Sequence, residues 1–233
     1  MWCKGSTTDF DSVCVGSNPA IVTTKNKYMQ IKLWQKVLFF GSITAFVLYY
    51  KRDTIKKLFD FGDISKKIAE KWVGIKEIGN NKAFSNDVFQ SMMRAVGWSS
   101  NEQWCMYFAK AIHYDAYKDK PEVQAKIKKI LNGRTQESYV NAKNDKTGTY
   151  TVVTEPKVGD ILIFQKSTDK SRGHAGVVIA VEGNNVKTIE GNTSDKNIAD
   201  GDLVARKTRP KKIGAGIGDN LYVRGFIRKL DEA

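Results

Sequence analysis

Apolar and polar positions alternate with three different periods along the chain, and each period predicts a different kind of element. Leu33 to Tyr50 (LWQKVLFFGSITAFVLYY) is almost wholly apolar and is followed at once by Lys51 and Arg52. Eighteen helical residues reach about 27 Å against a hydrocarbon core of roughly 30 Å, so this segment is read as a transmembrane or membrane-penetrating anchor helix, with a buried helix as the alternative. It lies well in from the start and lacks a small-residue cleavage pattern, which favours an uncleaved anchor over a removable signal peptide. Lysines and arginines flank both ends, with a slight excess after the span that leans toward a cytoplasmic C-terminal side. The resulting division is a polar tail over 1–32, the span over 33–50, a basic linker and the start of an amphipathic helix over 51–67, and a catalytic-sized domain over 68–233.

Beyond the span the period becomes helical. Ile64, Ile68, Trp72 and Ile75 recur at three and four residues from Asp63 to about Lys76, with Asp60 or Asp63 as caps. Val88 to Val96 predicts another helix closed by Gly97, and Pro121, Ile127, Ile130, Leu131 and Gly133 mark a third. Ser99 with Glu102, or Ser100 with Gln103, has capping-box spacing, which predicts a helix beginning there and running through Cys105, Phe108, Ala109 and Ile112. After a polar loop around Asn141 to Thr149 the period shortens: Val158–Phe164, His174–Val181, Val186–Asn192 and Leu221–Arg228 read as strands. Helices followed by an antiparallel sheet is an α+β order.

Composition sharpens this picture in two respects. With 41% hydrophobic and 27% charged residues the chain is globular, and three cysteines (Cys3, Cys14, Cys105) are too few and scattered for a disulfide framework or a tetrahedral metal site. The net charge of +13 points to an anionic partner, for which nucleic acid, anionic lipid and cell-wall polymer all qualify. No zinc-finger spacing or RNA-binding aromatic pair is present, so nucleic acid is not the expected partner. The basic run Arg206, Lys207, Arg209, Lys211, Lys212 is either an anion-attracting patch or a solvated loop.

Cys105 near a helix start is either a core-packing residue or the candidate nucleophile, since the helix dipole and free backbone N–H groups there favour a thiolate and can hold an oxyanion. A thiolate nucleophile needs a base, and the chain has only two histidines. His113 lies about 12 Å further along the same helix and cannot reach the thiol, so it is structural. His174 opens a strand, and Glu190 and Asn192 on the next strand, two residues apart, share a face that can orient its ring. The register supplies the condition. A three-residue loop (Glu182, Gly183, Asn184) sets His174 opposite Asn192 with Glu190 on the same face, whereas an even loop without a compensating bulge turns His174 away.

These residues also carry a family likeness. QWCMYFAK around Cys105, then VGDILIF, GHAGVVIAV and IEGN, with the flanking VGIKEIGNNKAF and GFIR, resemble the CHAP family of cysteine, histidine-dependent amidohydrolases and peptidases over about Ile68 to Lys229. The sister NlpC/P60 group, without the Glu-x-Asn pair, ranks second. The resemblance implies a small papain-like fold and no required cofactor. It assigns Cys105 as nucleophile, His174 as base and Glu190 with Asn192 as the orienting pair, and it implies cleavage of peptidoglycan amide bonds. No acidic cluster of calcium-ligand spacing stands near the start of the domain, so no metal is expected. The expected setting is the cell envelope or a phage virion, with phage structural proteins as further partners; the competing reading is a non-catalytic, membrane-tethered or virion protein that grips the wall.

Overall fold

A turn of small residues lets the first helix lie directly on the sheet. In the computed structural model, which describes residues 60–194 and 201–230, α1 (Phe61–Lys71) starts at Asp60, whose Oδ1 accepts from the Gly62 N–H at 2.8 Å. Its buried line is Gly62, Ser65 and Ala69, continued by Trp72, while Ile64 and Ile68 flank it half-buried. The apolar stripe expected to pack on the domain does so, with Trp72 in the core and Ile68 and Ile75 against it. A Cβ on Gly62 would stand 2.5 Å from the Val158 carbonyl oxygen, so only a helix with a small-residue face approaches this closely. The helix ends at Trp72, short of the predicted Lys76, and Gly74 follows at φ 91°.

A short hairpin follows, β1 (Glu77–Ile78) with β2 (Ala83–Phe84), and then α2 (Asp87–Ala95), capped by Asn86, whose side chain accepts from the Phe89 N–H. Next come α3 (Cys105–Asp115) and α4 (Pro121–Ile130), the latter with proline in its first turn as expected. The sequence reading missed α5 (Thr135–Lys143), which occupies part of the supposed polar loop. The strands are β3 (Tyr150–Val153), β4 (Ile161–Lys166), β5 (Gly173–Glu182), β6 (Asn185–Thr193), β7 (Leu203–Pro210), β8 (Gly216–Gly218) and β9 (Leu221–Lys229). They form one antiparallel sheet in the order β3-β9-β4-β5-β6-β7, with β8 beside β9. The expected α+β arrangement of helices on an antiparallel sheet is present; β3, β7 and β8 were not anticipated.

Alternation divides the sheet into two faces. Ile161 and Ile163 of β4, Val177 of β5 and Ile189 of β6 join the large core beneath the helices. Leu162, Phe164, Val178, Val186 and Val223 form a second cluster on the opposite face. Helix α3 is buried on nearly every side and packs on β5 and β6, which places its N-terminus against the strands that carry His174 and Glu190.

All of these elements belong to one compact unit that begins at Phe59, so the boundary expected at residue 68 falls inside α1. The anchor predicted over 33–50, the tail over 1–32 and most of the linker lie outside the described residues. Among the described residues no helix is long and apolar enough to cross a membrane.

Candidate functional site

The position of Cys105, the candidate nucleophile, is set by the residue before it. Trp104 is the N-cap of α3 and is fully buried; its indole Nε1–H donates to Glu77 Oε2 at 2.7 Å, tying the helix start to β1. Cys105 is therefore the first helical residue. The predicted capping box does not open this helix. The Ser99 N–H and hydroxyl both donate to Glu102 Oε2, at 2.9 and 2.8 Å, closing a separate turn upstream. The shift places Cys105 in the first turn, whose N–H groups have no acceptor within their own helix.

The β5–β6 hairpin delivers the partners by an unexpected route. Its turn has two residues, Gly183 and Asn184, with Glu182 opposite Asn185, where a three-residue loop was predicted. An even loop alone would set the wrong face toward Glu190. A bulge between Val178 and Ala180 restores the phase, so Val178 pairs with Thr188 and Val177 with Ile189, and continuing this register sets Gly176 beside Glu190. A Cβ on Gly176 would stand 2.5 Å from Glu190 Cγ, so glycine leaves the space that the carboxylate side chain fills.

His174 and Glu190 are both fully buried, and His174 Nε2 lies 3.0 Å from Glu190 Oε2. Because a carboxylate only accepts, Nε2 carries the proton. Nδ1 makes no hydrogen bond of full geometric quality, and the neighbour that acts on it is the Cys105 thiol. Burial alone would disfavour a charged ring, but the interactions with Cys105 and Glu190 outweigh it and raise the His174 pKa to about 9. Glu190 shows the converse balance: burial would raise it, yet Arg209 and His174 pull it down to about 2. The site therefore favours an imidazolium facing the sulfur and an ionised carboxylate behind it.

Asn192 departs from its expected role. The sheet register slips between Glu190 and Thr193, and Asn192 sits at φ 53°, so the simple alternation that would have set it beside Glu190 is broken. Its side chain is buried, and neither its Oδ1 nor its Nδ2 has a hydrogen-bond partner. Only Glu190 of the expected pair holds the ring. Gly191 in the same kink passes close to α3: a Cβ there would lie 2.5 Å from the Trp104 ring and 2.8 Å from Phe108 Cβ.

His113 is structural, as read from its spacing. Its Nε2–H donates to the Gly159 carbonyl and its Nδ1 accepts from the Tyr150 hydroxyl, both at 2.9 Å, and burial lowers its pKa to about 3. The residue that sequence reasoning missed is Arg209. Arg206, Lys207 and Arg209 of the basic run lie on β7, with Lys211 and Lys212 just past its end, and the Arg209 Nε and Nη2 groups donate to Glu190 Oε1 and Oε2 at 2.8 and 2.6 Å. A period-two reading of Leu203–Pro210 would have found the strand.

Beside the first turn of α3 lies a cleft of about 410 Å³ lined by residues that include Glu102, Gln103, Tyr107, Asn132, Arg134 and Glu137. Among the described residues no group of three or more His, Cys, Asp or Glu is placed to hold a metal ion. In comparison with known proteins, no curated protein matches the chain. The family model of the CHAP domain matches residues 95–192, the stretch that runs from the end of α2 through Cys105, His174 and Glu190 to Asn192. The match includes neither the Leu33–Tyr50 segment nor any phage component, and the expectations of membrane and phage partners gain no support from it. Cys105, His174 and Glu190, brought together in this site, fall within the matched stretch, and over residues 95–192 the chain is similar to the CHAP domain.

Proposed function

We propose that this chain hydrolyses amide bonds of peptidoglycan, either between sugar and stem peptide or within the peptide, through a thioacyl-enzyme at Cys105. The observation that carries this reading is the buried line of Cys105, His174 and Glu190, in which the proton on Nε2 is held by Glu190 and Nδ1 is left to the thiol. The Cys105 thiolate attacks the amide carbon, and the oxyanion forms beside the N–H groups at the start of α3. His174 Nδ1–H protonates the leaving amine, which departs as the C–N bond breaks. Water then gives its proton to the neutral ring and attacks the thioester, releasing the carboxylic acid and regenerating the thiolate–imidazolium pair. Through both steps Glu190 holds the ring by its other nitrogen. The reading sets the acting domain in the cell envelope.

The test is Cys105→Ala in the full chain, with muropeptides from purified peptidoglycan resolved by mass spectrometry. Wild-type protein releases new amino or lactyl termini, and the masses identify the bond. The variant releases none while keeping its fold. Hydrolysis by the variant refutes the mechanism; wall binding by the wild type without new termini favours a non-catalytic grip.

A further inference from the structure

Five basic residues cluster between Arg206 and Lys212, and Arg209 alone among them is buried, with 6% of its surface exposed. A surface patch for an anionic polymer has no use for a guanidinium turned inward, and withdrawing one from water is expensive unless it is paired. Its strand lies beyond the segment that the family model covers. Along the sheet, Arg209 is opposite Val186, two same-face positions from Glu190, so its side chain runs lengthwise across the second core face to reach the carboxylate.

An ionised carboxylate has about four lone-pair directions. In Glu190 four donors meet them. Oε1 accepts from Arg209 Nε at 2.8 Å and from the Thr188 hydroxyl at 2.6 Å, while Oε2 accepts from Arg209 Nη2 at 2.6 Å and faces His174 Nε2 at 3.0 Å. The Phe164 ring supports both cations, with the guanidinium carbon 5.7 Å from its centroid and the His174 ring stacked at 6.1 Å. The carboxylate is thereby fixed against rotation. The titratable groups facing the imidazole are Cys105 from α3 and Glu190 from β6; Glu190 faces Arg209 from β7, and β4 contributes only the uncharged Phe164.

We propose that Arg209 is a positioning residue of this site: its two-pronged bond locks Glu190 so that one oxygen stays on His174 Nε2, and its charge balances the buried cluster. The inference rests on the reading of Cys105 as nucleophile. With Arg209 present, guanidinium, carboxylate, imidazolium and thiolate sum to zero. Without it the same set carries a net negative charge in a water-poor site, which proton uptake at sulfur or carboxylate relieves. Either uptake removes the reactive form, so the acid side of the thiol's reactivity moves to higher pH.

The experiment follows alkylation of the Cys105-bearing peptide by iodoacetamide against pH, by mass spectrometry, in full-length wild type, Arg209→Gln and Arg209→Lys, alongside kcat and KM on peptidoglycan. Arg209→Gln is expected to shift the acid limb of alkylation upward and to lower kcat on the order of 10²-fold, with KM little changed. Arg209→Lys restores the charge but not the fork, so its limb returns toward wild type while kcat stays reduced. A folded Arg209→Gln whose alkylation profile superimposes on wild type overturns the proposal, as does Arg209→Lys with wild-type kcat should the glutamine variant not fold. If wild type alkylates normally yet cleaves no wall, the hydrolase reading fails, and the alkylation profiles still decide the role of Arg209.

Discussion

Replacing Glu190 by glutamine preserves shape and removes one charge, and the cost follows from what surrounds it. Arg209, Thr188 and His174 all aim donors at this carboxylate. An amide offers a single acceptor oxygen and turns an NH2 group toward the donors on the other side, leaving the guanidinium buried without a counter-charge. Removing one partner of a buried ion pair costs about 3–5 kcal/mol. For a domain of this size that lowers Tm by about 6–20 °C. Calorimetry at pH 7 measures the loss, and adding Arg209→Met should recover much of it, because the stranded charge disappears as well. Hydrolysis stays lost in both variants. The pH dependence gives a second reading. Glu190 titrates near 2 in the fold, below its ordinary value of 4.5, so its contribution is complete above about 4.5 and is lost as pH falls toward 2. Wild-type stability should fall through that window, and the variant's should fall less. An unchanged Tm in Glu190→Gln, with the double variant no more stable than the single, would refute the account.

Three further outcomes follow. His174 titrates near 9, above its ordinary 6.5, so the charged ring's contribution is present below 6.5 and is lost as pH rises through 9; hydrolysis measured against pH should decline on the same alkaline limb. Gly191→Ala forces a methyl group into the Trp104 ring, costs about 1–3 kcal/mol in Tm measurements, and lowers kcat on the order of 10²-fold by parting β6 from α3; wild-type kcat there would contradict the close-approach argument. His113→Leu strands the Tyr150 hydroxyl and the Gly159 carbonyl, at about 1–3 kcal/mol each, yet the folded fraction should keep its specific activity.

The placement of Cys105 and His174 was legible because each rested on a local rule: a cysteine near a helix start, and the exclusion of His113 by distance along its own helix. Strand alternation likewise exposed β4, β5, β6 and β9. What stayed hidden was non-local. Arg209 belongs to the site only because β7 pairs with β6, and no spacing within a basic run announces a partner on another strand. The apolar stripe of α1 named its packed side but not the line of closest approach, where Gly62 meets the Val158 carbonyl. Asn192 was set beside Glu190 by an alternation that its positive φ interrupts.

The hairpin between His174 and Glu190 makes a broader point about how such a site tolerates change. A two-residue turn with one extra residue in β5 and a three-residue turn with none are interchangeable solutions, because both leave the same phase at the catalytic end. A residue can migrate along β5, from kink to tip, without the active centre registering the move. The strand thus works as a vernier: the tip is free to vary in shape and length provided that its count and the count of kinks change together, and an insertion or deletion at one of them alone turns the imidazole to the wrong side of the sheet.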